Sequence, residues 1–130
     1  MREMQEQTLD RETIAQSLAR KQIGNYWLGK FDPAGGFIIH YVGRSDTCLR
    51  RRLMEHATKG EYDVFVVRVA ESIREAFDVE CREWHMLKRL NQLHNHIHPD
   101  APSGLPYTCP YCHALTSTSC ITDEFVGGEA

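Results

Sequence analysis

The chain lacks any apolar run approaching the ~18–20 residues that cross a bilayer. Its opening stretch, 1-MREMQEQTLDRETIAQ-16, also lacks the apolar centre of a secretory signal, so a cytoplasmic protein with no membrane partner is expected. Cysteine is sparse and odd in number: Cys48, Cys81, Cys109, Cys112 and Cys120. The first two fall inside expected helices. A secreted disulfide framework is usually even and loop-borne, so reduced thiols are expected. Net positive charge is missing too. At −3, the chain has no overall cationic field for gripping phosphate backbones irrespective of sequence. There is no internal repeat and no linker, and apolar and charged fractions near globular averages exclude wholesale disorder. The 130 residues are expected to form a single domain.

The cations present are concentrated. Between Arg44 and Lys59, Arg44, Arg50, Arg51, Arg52 and Lys59 stand against Asp46 and Glu55, a local +3 that leaves −6 for the rest. Such focusing marks a candidate phosphate-facing surface. The ordinary meaning of three successive arginines is a solvated face.

Periodicity orders the elements α-β-β-α-β-α. A helix is expected from about Asp10, its N-cap, to Lys21, with Ile14 and Leu18 on one face. The aromatic and β-branched stretches 25-NYWLGKF-31 and 37-FIIHYV-42 read as strands, and 32-DPAGG-36 supplies the turn of a hairpin. A short helix from Asp46 to His56, capped by Ser45 or Asp46, carries Leu49 and Leu53. The run 62-YDVFVVRVA-70 reads as a third strand. Ser72 and Glu75 have capping-box spacing and open a helix to about Leu90. Beyond it, Pro99, Pro102, Pro106 and Pro110 forbid a long helix and imply an irregular tail.

Two features are not explained by packing alone. On the long helix, Ile73, Ala76, Phe77, Trp84 and Leu87 form an apolar stripe interrupted by Glu80. A carboxylate there either reaches solvent at the stripe's edge or, desolvated, serves as a metal ligand at the rim of a cleft. On the short helix, Arg52 and His56 share a face offset from Leu49 and Leu53, so both are expected to point away from the core. A guanidinium fork beside an imidazole suits a phosphate and its developing charge.

The tail carries Cys109-x-x-Cys112, half of a tetrahedral zinc site, with Cys120 as a further thiol and His94, His96, His98 and His113 close in sequence. A structural Zn²⁺ clamping the tail is one reading. Two reduced thiols in a Pro-rich loop are the other.

Taken in order, Gly24-Asn25-Tyr26, Tyr41-Val42-Gly43, Arg52-x-x-x-His56 and Glu80 on a following helix resemble the GIY-YIG nuclease domain. The resemblance spans roughly Ile23 to Asn95. Asn25 departs from it, standing where the family usually has an apolar residue, and 32-DPAGG-36 lengthens the hairpin. The resemblance implies an α+β fold, three antiparallel strands flanked by helices. It divides the chain into an N-terminal helix (1–22), a nuclease core (23–98) and a Pro/Cys-rich tail (99–130), one domain overall. It also implies hydrolysis of phosphodiester bonds in DNA with one Mg²⁺ or Mn²⁺ held by Glu80. Arg52 would neutralise the phosphoryl oxygens, and Tyr26 or Tyr41 would take the water's proton directly or through His56. Arg44 would hold a phosphate, with Arg50 and Arg51 touching the backbone, and Asn95, or else Asn91, would orient groups at the site. The acidic remainder of the chain favours a branched or distorted DNA, or a partner subunit that brings the DNA-binding surface. The competing class is a non-catalytic module that binds nucleic acid or protein on the same fold.

Overall fold

The computed structural model describes residues 5–115. The chain divides into two compact units, Met1–Pro99 and Asp100–Ala130. In the first, β1 (Gln7–Thr8) and α1 (Arg11–Ser17) precede the hairpin β2 (Gly24–Phe31) and β3 (Phe37–Ser45). Then come α2 (Leu49–Lys59), β4 (Val64–Val69) and α3 (Ile73–Lys88). The architecture is α+β. No helix among the described residues is long and apolar enough to cross a membrane.

Among the described residues the sheet has four strands, not the expected three, in the order β1-β4-β2-β3 with every pairing antiparallel. The added strand, β1, is two polar residues long and pairs Gln7 with Phe65 and Thr8 with Val64. Its sequence has no apolar alternation to announce it. What fixes it is the next residue: Leu9 is buried and its N–H donates to the Asp63 carbonyl at 2.8 Å.

The hairpin forms where the sequence places it. Asp32 Oδ1 accepts from the Ala34 N–H at 3.0 Å, and the Gly35 N–H donates to the Asp32 carbonyl at 2.8 Å, an Asx-type turn. The register shifts between Leu28 and Gly29, so the hairpin carries a local irregularity midway.

Because strand side chains alternate, β2 serves two cores. Tyr26 and Leu28 face α1 and α2 and pack with Ile14, Leu18, Leu49, Leu53 and Phe65. Trp27 faces the other way and packs with Val42, Val79, Trp84 and Leu93. Removing a fully buried side chain such as Leu53 or Leu28 costs about 2–5 kcal/mol.

Helix boundaries differ from the sequence expectation for local reasons. Helix α1 stops at Ser17 because buried Leu18 turns extended (φ −129°) and Gln22 Oε1 takes the Ala19 N–H at 3.1 Å. Helix α2 begins at Leu49, not Asp46. Ser45 Oγ accepts the N–H groups of Thr47 and Cys48, shaping the preceding turn, and Cys48 is the N-cap. In α3 Ser72 caps as expected, its Oγ accepting from the Glu75 N–H at 3.0 Å, but Glu75 Oε1 reaches one residue further back than a capping box and accepts from the Glu71 N–H at 2.8 Å.

The second unit is less irregular than its prolines suggest. A turn closes from Pro102 to Leu105, and a short helix α4 (Pro110–Leu115) opens with proline at its first position, where no donor is lost.

Candidate active site

Both glycines of the paired motifs sit where a side chain has no room. A Cβ on Gly43 would lie 2.5 Å from the Cζ and hydroxyl of Tyr26, its register partner across β2 and β3. A Cβ on Gly24 would lie 2.1 Å from the Arg68 carbonyl on β4. Gly43 thus lets the Tyr26 ring lie flat across the edge strand, and Gly24 lets β4 close on β2.

On the α2 face, Tyr26 is 2% exposed and its hydroxyl is hydrogen-bonded to His56 Nε2 at 3.0 Å. Tyr41 stacks on Tyr26 with centroids 6.1 Å apart and planes 11° from parallel, and His56 lies 5.2–5.3 Å from both rings. Burial, then the neighbouring Tyr41, raises the Tyr26 hydroxyl above its ordinary range, and Arg52 opposes the rise. Burial, then the cations Lys59 and Arg52, lowers His56 to about 4. Near neutral pH the pair is uncharged. His56 is therefore in the core, not pointing away from it with Arg52 as the helical spacing suggests. The short helix turns one side chain inward and leaves Arg52 exposed, 3.9 Å from Glu55.

On the opposite face, one register rung joins Arg44, Asn25 and Arg68 across β3, β2 and β4 beneath α3. Asn25 is fully buried, and its Nδ2 donates to the Ala76 carbonyl at 2.8 Å. The departure from the motif is thus a tether between β2 and the first turn of α3. Ala76 is one turn before Glu80, so the tether also fixes the height of Glu80 over the sheet. Asn25 Oδ1 has no hydrogen-bond partner among the described residues.

Glu80 does not reach solvent at the stripe's edge. It is 9% exposed, and its Oε1 accepts from Arg44 Nη1 at 2.6 Å. The same guanidinium donates to Asp46 through Nε at 2.8 Å and Nη2 at 3.2 Å, and lies 5.2 Å from the centre of the Phe77 ring. Burial pushes the Glu80 carboxyl up while Arg44 pulls it back. Arg44, expected on a phosphate, instead joins two carboxylates.

No family model, curated protein or solved structure matches this chain.

Asn95 holds the second motif in place. Its Nδ2 donates to the Val42 carbonyl at 2.8 Å, its Oδ1 accepts from the Val42 N–H at 3.3 Å, and its own carbonyl accepts from Trp84 Nε1 at 3.0 Å. One side chain thereby imitates a pairing strand along the edge of β3. Asn91 instead takes a left-handed conformation (φ 58°) just after α3. Arg50 is partly exposed, and exposed Arg51 reaches Thr47 Oγ1 at 3.4 Å.

In the second unit Cys109 is buried and Cys112 partly buried, and in the first unit the rings of His85 and His98 lie 5.2 Å apart. Thiolates and imidazoles are both zinc ligands. Cys120 and the side chain of His113 lie outside the described residues. His85, which the sequence does not single out, stands on α3 beside Trp84. Of the remaining histidines, His94 instead stacks on His40 and bonds to Tyr62.

Proposed function

We propose that this chain is a metal-dependent endonuclease that hydrolyses phosphodiester bonds in DNA through a site of GIY-YIG type. The observation that carries the reading is the surroundings of Tyr26. The ring lies against Gly43 and bonds to His56, so β2, β3 and α2 meet at one side chain.

Glu80 and Asp46 carry carboxylate oxygens of the type a hard divalent cation, Mg²⁺ or Mn²⁺, takes, and an ion there would displace the Arg44 guanidinium that bonds to both. Glu80 would hold the ion, with Asp46 beside it. When bound, such an ion supplies positive charge to phosphoryl oxygens. Arg52, exposed on α2, adds a fixed cation for the charge that builds on the phosphate. Tyr41 is half-buried and open to a surface groove, so it is assigned the water's proton. Buried Tyr26 orients His56 and Tyr41.

A second reading, a binding module without catalysis, is favoured by one observation: the Glu80 carboxylate is already engaged by Arg44. Incubating the protein with plasmid and with branched, flapped and single-stranded DNA, with and without Mg²⁺ or Mn²⁺, separates the two. Metal-dependent nicking supports the nuclease. Binding without cleavage on every substrate supports the module.

A further inference from the structure

A ladder of aromatic rings runs outward from the candidate active site. Tyr41 stacks on buried Tyr26, Tyr62 lies 6.2 Å beyond Tyr41, His94 5.6 Å beyond Tyr62, and His40 4.4 Å beyond His94 with its ring nearly parallel. The outer part of this ladder borders a groove of about 620 Å³ lined by Lys30, Tyr41, Gly60, Glu61, Tyr62 and His94. The nuclease reading uses Tyr41 alone of these groups.

The groove is held in shape by polar contacts. The Tyr62 hydroxyl and His94 Nδ1 are 2.8 Å apart, His40 Nδ1 lies 2.9 Å from the Gln92 carbonyl, and the His94 N–H donates to the His40 carbonyl. These contacts fasten the segment after α3 to the edge of β3. Lys30 and Glu61 at the wall are both exposed.

We propose that this groove receives an unpaired nucleotide next to the scissile phosphate, so that the substrate class is DNA with single-stranded or unpaired character. The inference rests on the nuclease reading for the scissile phosphate, and on the groove for the nucleotide. Exposed His94 and half-buried Tyr41 offer ring surface on which a base can stack, with buried Tyr62 between them in the ladder, and stacking accepts any base. Lys30 supplies a cation for the backbone. Glu61 disfavours a free phosphate but accepts from the exocyclic amino group of a base, so the mixed wall suits a nucleotide better than a bare anion. The volume is in the range of sites that enclose a ligand of nucleotide size, roughly 300–1,000 Å³. Continuity through Tyr41 puts the base beside the proposed chemistry, and duplex DNA can reach it only by unstacking a nucleotide.

The test is the fluorescence anisotropy of a labelled single-stranded oligonucleotide and of a blunt hairpin duplex of equal length, in EDTA so that cleavage plays no part. Wild type is expected to favour the single strand by about tenfold. Lys30→Ala and His94→Ala should each reduce that ratio at least threefold, and Tyr62→Phe, which keeps the ring and loses the bond to His94, should lower it less. Equal affinities for the two DNAs, or ratios unmoved by both Lys30→Ala and His94→Ala, overturn the proposal. Single-strand preference that depends on Lys30 and His94 without cleavage of any substrate leaves the groove standing and removes the nuclease reading. Efficient nicking of intact duplex, with no preference in binding, does the reverse.

Discussion

Arg44 Nη1 lies 2.6 Å from Glu80 Oε1, and the same guanidinium bonds to Asp46. The one carboxylate buried in the apolar face of α3 is therefore compensated by an edge-strand arginine whose side chain is itself only 10% exposed. Replacing Arg44 by Met should destabilise the fold by about 3 kcal/mol, because it leaves a buried acid without its partner. In that variant the Glu80 carboxyl rises further. The folded form then holds the extra proton, so part of the lost stability should return as pH falls toward the ordinary carboxylate range. Urea unfolding of wild type and Arg44→Met at pH 7 and pH 5 checks both signs.

His56 gives the opposite slope. Its folded value of about 4 lies below the unfolded 6.5, so its contribution is fully present above pH 6.5 and is lost as pH falls through about 4. Integrated over that window the loss is of the order of 3 kcal/mol. His56→Phe should flatten the pH dependence of unfolding between pH 6.5 and 4, and an unchanged slope contradicts the burial argument.

The two tyrosines should separate in kinetics. Tyr41→Phe should lower the cleavage rate by about 100-fold or more, the scale of a lost general base. Tyr26→Phe removes a buried hydroxyl that only bonds to its neighbours and should cost about tenfold or less. Single-turnover rates on one substrate make the comparison, and the reverse order reassigns the base to Tyr26.

Gly43→Ala forces a Cβ into the Tyr26 ring at 2.5 Å. Overpacking of this kind costs about 1–3 kcal/mol. It should also displace the bond between Tyr26 and His56, moving the His56 titration upward in NMR. A variant that melts and titrates like wild type contradicts the close approach.

The Cys109-x-x-Cys112 pair should hold one equivalent of Zn²⁺ in the full chain. Metal analysis after dialysis against Zn²⁺ is expected to show that stoichiometry, and Cys109→Ser or Cys112→Ser should lower affinity by about tenfold or more, since each removes a thiolate. Wild-type protein that stays metal-free sinks this expectation.

Much of this was legible in the sequence where the signal is local. The hairpin was readable from Asp32 and the glycines after it, α3 from Ser72 and Glu75, and Glu80 from the single break it makes in an apolar stripe. What escaped was set by contacts distant in sequence. Strand β1 exists because Leu9 is buried beside Asp63, and His56 is inward because Tyr26 receives it. Arg44 belongs to Glu80 because the β2–β3 register carries it under α3.

The central claim is tested most directly by cleavage of flapped DNA in Mg²⁺ or Mn²⁺ by wild type, Glu80→Ala and Arg52→Ala, each checked for folding by circular dichroism. The account predicts metal-dependent nicking by wild type and a loss of at least about 100-fold in both folded variants, the scale of removing a key electrostatic group. Cleavage retained by both variants contradicts it.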